Sequence, residues 1–140
     1  MRSLYRFSAI IILVVAASAC GGAATSDTND LPTLTLDLTD FKIASDHATV
    51  PPGRTVFAIR NHASMAHEVK VIKTDLDADK LPIDGAAAKA KEDGKVGELL
   101  NISAGGSRKL VLDLVPGRYL LICNIAGHYQ LGMRVSLEVK

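Results

Sequence analysis

Three side chains near the end of the chain carry donor chemistry: Cys123, His128 and Met133, in the stretch CNIAGHYQLGM. A thiol, an imidazole and a thioether follow one another at five-residue steps, with Gly127 just before the His and Gly132 just before the Met. Soft sulfur donors beside imidazole select copper, and a trigonal His₂Cys set with a weak axial Met is the arrangement used for one-electron copper chemistry. Only the second His is missing from the stretch. Of the upstream candidates, His47 lies in polar ASDHATVPPG and is expected at the solvent. His62 follows the end of an apolar run and falls in a turn, whereas His67 stands directly before the alternating segment HEVKV. The expected metal set is therefore His67, Cys123, His128 and Met133.

The spacing requires a particular loop. Cys123 closes one apolar run and Met133 opens the next, so the ten-residue step between them must bend back on itself, with His128 at its middle. Gly127 and Gly132 permit backbone angles that a side chain would obstruct, at the positions preceding two of the donors. Taken singly, a Cys is often an inert buried residue and a Met core filler. On one glycine-punctuated loop between strands, the three together indicate a metal site.

The elements that must hold this loop read as strands. Leu34, Leu36 and Leu38 alternate with Thr35, Asp37 and Thr39, the period of a strand with one buried face, which Phe41 and Ile43 extend. Pro51-Pro52-Gly53 marks a turn before the apolar run 55–60, and Val115-Pro116-Gly117 another before 118–123. Further strands are expected from His67 onward, over 109–114 and over 133–139. One segment has a helical pattern: Asp84 as cap, Ala86 to Lys91 as body and Gly94 as stop. The expected class is all-β, a Greek-key sandwich or barrel with one short helix in a loop.

The first 20 residues read as an export signal. Arg2 and Arg6 precede the apolar run Ile10 to Val15 and the small residues Ala16 to Ala19, and the run is too short to span a bilayer. Cys20, followed by two glycines, resembles the lipobox Cys of bacterial lipoproteins, which is acylated and becomes residue one. Leu usually stands where Ala17 stands, and an ordinary signal peptidase also accepts Ala-Ser-Ala. The expected organisation is thus a signal peptide of lipoprotein type over 1–20, a flexible tether over 21–30 and one domain over 31–140. This places the protein outside the cytoplasm, periplasmic or on the outer cell surface, with lipidation at Cys20 as its membrane anchor. If Cys20 is lipidated or removed, Cys123 has no disulfide partner in a chain with two Cys.

Loss of residues 1–20 takes two Arg and no acid from 16 Lys+Arg and 15 Asp+Glu, leaving 14 against 15 and a net charge near −1. That balance gives no reason to expect nucleic-acid binding, which usually shows a basic patch.

The ordered pieces LTLDLTDFKI, VPPGRTVFAIRN, MAHEVKV and LVPGRYLLICNIAGHYQLGM resemble the cupredoxins, the family of plastocyanin and azurin, and cover most of the domain except 74–98. The Cys-x4-His-x4-Met loop resembles those of rusticyanin, auracyanin and sulfocyanin more than the shorter loop of plastocyanin. The resemblance implies a β-sandwich of about eight strands. It also implies one copper bound by His67, Cys123 and His128, with Met133 axial. It implies a non-enzymatic, monomeric one-electron carrier with transient redox partners, in which His128 lies nearest the surface. Ile125, Ala126, Leu131, Met65 and Ala66 are then the apolar surface around it. Many members carry Asn after the first His, where this chain has Glu68. Glu68 can retain the backbone N–H donation to the Cys sulfur but not the amide bond that ties two ligand loops together.

Two other classes fit the residues less well. A copper-handling protein can use the same ligands, but it must release the ion readily. A Cys–His hydrolase needs an orienting third residue and an oxyanion site, and neither is evident.

Overall fold

The computed structural model describes residues 30–140. The expected export segment, Cys20 and the tether up to residue 29 lie outside the described residues.

The alternating leucines form β1 (Thr33–Thr39), with Leu34, Leu36 and Leu38 fully buried. Burying each such side chain contributes about 1.5–3 kcal/mol relative to leaving it in water. The chain does not run on through Phe41 as the alternation predicts. It reverses at Phe41, whose φ is +59°, and returns as β2 (Lys42–Ser45), antiparallel to β1. Ile43 is thereby buried from a second strand. Next come β3 (Thr49–Val50), β4 (Gly53–Asn61) and β5 (His67–Lys73). The short β6 (Ile83–Asp84) and β7 (Lys89–Ala90) precede β8 (Lys95–Ile102) and β9 (Ser107–Leu114). The chain closes with β10 (Gly117–Ile122) and β11 (Arg134–Val139).

These strands build two facing sheets, ordered β2-β1-β4-β9 and β3-β11-β10-β5-β8. The pairs β1–β4 and β3–β11 are parallel and the remaining ladders antiparallel. The expected sandwich or barrel is a sandwich. Its core lies between the sheets and includes Leu36, Phe57, Val71, Leu121, Cys123, Met133 and Leu137.

The expected helix at 84–94 is absent. Asp84 Oδ1 accepts the N–H groups of Ala86 (3.1 Å) and Ala87 (3.4 Å), so it caps a turn. Ala88 then takes φ +50°, the chain reverses, and Ala90 pairs with Ile83 across the β6–β7 hairpin. Hydrogen bonds from outside the hairpin hold Ala88 and Ala90 in place, and they override the alanine preference for helix. β8 lacks a clear sequence pattern because it is an edge strand, partly exposed along most of its length.

Residues 74–94 lie against the outer face of the second sheet. There Leu81, Ala90 and Tyr129 cover Ile72, Leu120 and Ile122 in a separate apolar cluster. Among the described residues no helix is long and apolar enough to cross a membrane.

Candidate metal centre

The four expected ligands meet at one end of the sandwich. His67 opens β5, Cys123 directly follows β10, Met133 directly precedes β11, and His128 lies midway along the intervening loop. His67, Cys123 and Met133 are fully buried, and His128 is 5% exposed. Cys123 Sγ lies 3.8 Å from His67 Nδ1 and 3.5 Å from His128 Nδ1. One donor atom from each of these three residues falls within 4.8 Å of the others. His47 and His62 are exposed and lie against Asp46 and Asp37, each at 3.0 Å, away from the site.

These distances fit a metal ion. With bonds of about 2.0 Å to nitrogen and 2.3 Å to sulfur, a trigonal opening places N and S about 3.7 Å apart. The observed separations bracket that value. A buried thioether beside two imidazoles and a thiol matches copper rather than a hard oxygen-seeking cation.

The loop is shaped by its own backbone. Cys123 N–H donates to Met133 O (3.0 Å) and Met133 N–H to His128 O (3.0 Å), so the two sulfur residues are joined at the loop's neck. Gly127 and Gly132 have φ of +82° and +107°, the left-handed region anticipated for both. On the opposite side, β5 meets β8 irregularly: His67 to Val69 spans Ile102 to Leu99, with Asn101 at φ +54°. Such bulges re-aim side chains at the ends of sheets. Asn61 braces the same corner, donating from Nδ2 to Met65 O and Ile102 O, each at 2.8 Å.

Burial pushes the Cys123 thiol above its ordinary value, opposed by hydrogen bonds from the backbone N–H groups of Glu68 and Ile125. The Glu68 donation is the one that its position after His67 allows. Burial also lowers His67, and the neighbouring His128 adds to that shift. Both groups are thus held neutral: the imidazole is already in its ligating form, and the thiol must lose its proton to a metal.

Four neighbours were not evident from the sequence. Phe41 stacks edge-on against His128, with ring centroids 5.2 Å apart, while remaining 41% exposed. Asn124 and Tyr129, the residues following Cys123 and His128, are 1% and 2% exposed and bond to segment 74–94. A polar residue directly after each ligand is the only trace of this in the sequence. Lys70, 8% exposed, lies 2.9 Å from both Glu92 and Glu98 and 3.8 Å from Glu68. The Glu68 side chain therefore faces Lys70.

Two buried imidazoles, a thiol and a thioether at the end of a β-sandwich are arranged as in a type 1 copper site. The chain belongs to the family of copper-binding proteins of the plastocyanin/azurin type, whose model matches residues 33–140. An auracyanin from the photosynthetic bacterium Roseiflexus castenholzii is similar in structure, with 21% identity and a TM-score of 0.59, covering 77% of this chain and 96% of that one. Rusticyanin from Thiobacillus ferrooxidans is 15% identical with a TM-score of 0.59, covering 77% of each chain. Auracyanin A of Chloroflexus aurantiacus, described as a blue copper protein, is 17% identical with a TM-score of 0.54, covering 77% of this chain and 99% of that one. At these identities the likeness establishes the fold. No curated protein matches the chain in sequence.

Proposed function

We propose that this protein is a one-electron carrier outside the cytoplasm and not an enzyme, in which His67, Cys123, His128 and Met133 would hold copper. The observation that carries the reading is the convergence of the His67, Cys123 and His128 donors within 4.8 Å in a buried, strand-held pocket. When bound, copper supplies the one-electron couple. The residues supply a fixed donor set: two strands hold His67 and Cys123, and N–H groups of Glu68 and Ile125 stabilise the sulfur as thiolate. His128 is the one nitrogen ligand with any exposure, so it is the point of electron entry and exit. Phe41, Met65 and Leu131 are 41%, 43% and 62% exposed and supply an apolar rim suited to small, transient redox interfaces.

The sequence supports the rest of the reading: export directed by residues 1–20, a lipid anchor at Cys20, a tether over 21–30 and a monomeric copper domain over 31–140. The test is spectroscopic and kinetic. The copper-loaded protein should show an intense visible thiolate band that Cys123→Ser abolishes, and should accept and return one electron per copper. A variant that keeps its colour overturns the ligand assignment. Rapid copper loss to a chelator together with slow electron exchange would instead identify a copper-handling protein.

A further inference from the structure

We infer that segment 74–94 is a built part of the copper centre, and that Asn124 and Tyr129 are positioning residues that clamp the ligand loop to it on either side of His128. The inference rests on the copper reading of the site.

The segment has little regular structure of its own, only the two-residue strands β6 and β7. It is nevertheless joined to the ligand loop at three points. Asn124 Oδ1 accepts Ala90 N–H (2.8 Å), while Asn124 Nδ2 donates to Ala90 O (2.9 Å) and to Glu92 Oε1 (2.9 Å). Gly127 N–H donates to Ala88 O (2.8 Å). Tyr129 OH accepts Leu81 N–H (2.9 Å) and donates to Ala78 O (2.7 Å). Both amide hydrogens of Asn124 and the hydroxyl of Tyr129 are therefore used. A buried polar group without partners costs free energy, whereas a fully satisfied network fixes one arrangement.

The attachment continues to the other side of the site. Glu92 Oε1, which accepts from Asn124, also lies 2.9 Å from Lys70 Nζ on β5, the strand that begins with His67. The residue after Cys123 is thus tied through Glu92 to the strand carrying His67. At the other end of the loop, the Arg134 guanidinium lies over the Tyr129 ring, 5.2 Å from its centroid, and donates to Tyr129 O. Arg134 follows Met133. The clamp therefore engages the residues directly after Cys123, His128 and Met133, and the strand that begins with His67, without touching the donor atoms. Groups that orient ligands in this way are commonly worth about 10–100-fold in metal affinity.

The test uses the full chain loaded with copper, with Tyr129→Phe and Asn124→Ala as variants. Tyr129→Phe keeps the buried ring and removes only the hydroxyl, so it remains informative if Asn124→Ala fails to fold. Arg118→Gln is the control, since Arg118 bonds to Asp75 O and Asp77 near the start of the segment, away from the ligand loop. Three quantities are read: the copper hyperfine splitting in the paramagnetic-resonance spectrum, the rate of copper loss to a chelator, and hydrogen exchange of the Gly127 and His128 amides in the metal-free protein. The two clamp variants should shift the splitting, lose copper about tenfold faster and exchange those amides faster, while Arg118→Gln leaves all three unchanged. Wild-type values in a folded Tyr129→Phe overturn the clamp. Equal changes in Arg118→Gln overturn it as well, because general loosening would then suffice. A wild-type protein without a thiolate band defeats the copper reading itself.

Discussion

Lys70 Nζ lies 2.9 Å from Glu92 Oε1, joining the strand of one proposed copper ligand to the segment that covers the ligand loop. Burial opposes both charges, yet hydrogen bonding prevails in each. Bonds from Lys70, Lys95 and Asn124 hold Glu92 down to about 2, and Glu92 and Glu98 hold Lys70 above its ordinary value. A depressed carboxylate adds stability above its unfolded value, and the contribution disappears as pH falls through the folded one. A raised lysine adds stability below its unfolded value, lost as pH rises through the folded one. Thermal stability of the metal-free protein is therefore expected to hold between these limits, and to fall from about pH 4.5 downward and above about pH 10.5. In Lys70→Met the acid-side fall should shrink, because Glu92 loses its main cation. Identical pH profiles for the two proteins would remove Lys70 from this role.

The Cys123 thiol offers a second pH effect. Burial raises it, so the metal-free site holds a proton on sulfur at neutral pH. Copper binding must expel that proton. Titrating copper into the protein near pH 7, in buffers of differing ionisation enthalpy, should reveal release of about one proton per copper. Release should disappear in Cys123→Ser. Binding with no proton release would show that the thiol is already ionised.

Much of this centre is legible in the sequence because it depends on residue type and local spacing. Cys123, His128 and Met133 share one loop, and the alternation in HEVKV singles out His67 from His62. The leucines of β1 give their strand by period alone. What is not legible depends on distant partners. Alanines 86–88 and 90 favour a helix until Asn124 and Gly127 supply bonds that hold a hairpin. Phe41 continues the apolar alternation in sequence, but its left-handed backbone turns the chain and sets its ring on His128. Tyr129 and Asn124 look like ordinary loop residues, and their side-chain hydrogen-bond partners lie 32 to 51 positions away.

Gly127 tests the backbone requirement without confounding contacts. A Cβ there meets nothing within 4 Å, so φ of +82° is the only obstacle. Gly127→Ala should cost about 1–2 kcal/mol in denaturant unfolding of the metal-free protein. Unchanged stability would show that the loop relaxes to another conformation, and the copper spectrum of the variant should then differ from wild type.

The apolar rim around His128 gives a prediction about electron exchange that stability measurements cannot mimic. Leu131 is 62% exposed and lies on the ligand loop. Its N–H donates to Gly127 O (3.0 Å), a backbone bond that any side chain at this position preserves. Leu131→Lys should therefore leave the fold and the visible spectrum unchanged. When two copies meet rim to rim, however, it places like charges face to face at a surface that must desolvate, a juxtaposition that costs several kcal/mol. Self-exchange between oxidised and reduced protein, measured by resonance line broadening at low salt, should fall at least about tenfold, a penalty of about 1.4 kcal/mol. Added salt should restore part of the rate, since exposed charges are screened over about 10 Å at 0.1 M. A self-exchange rate equal to wild type at low salt would move the docking surface away from His128.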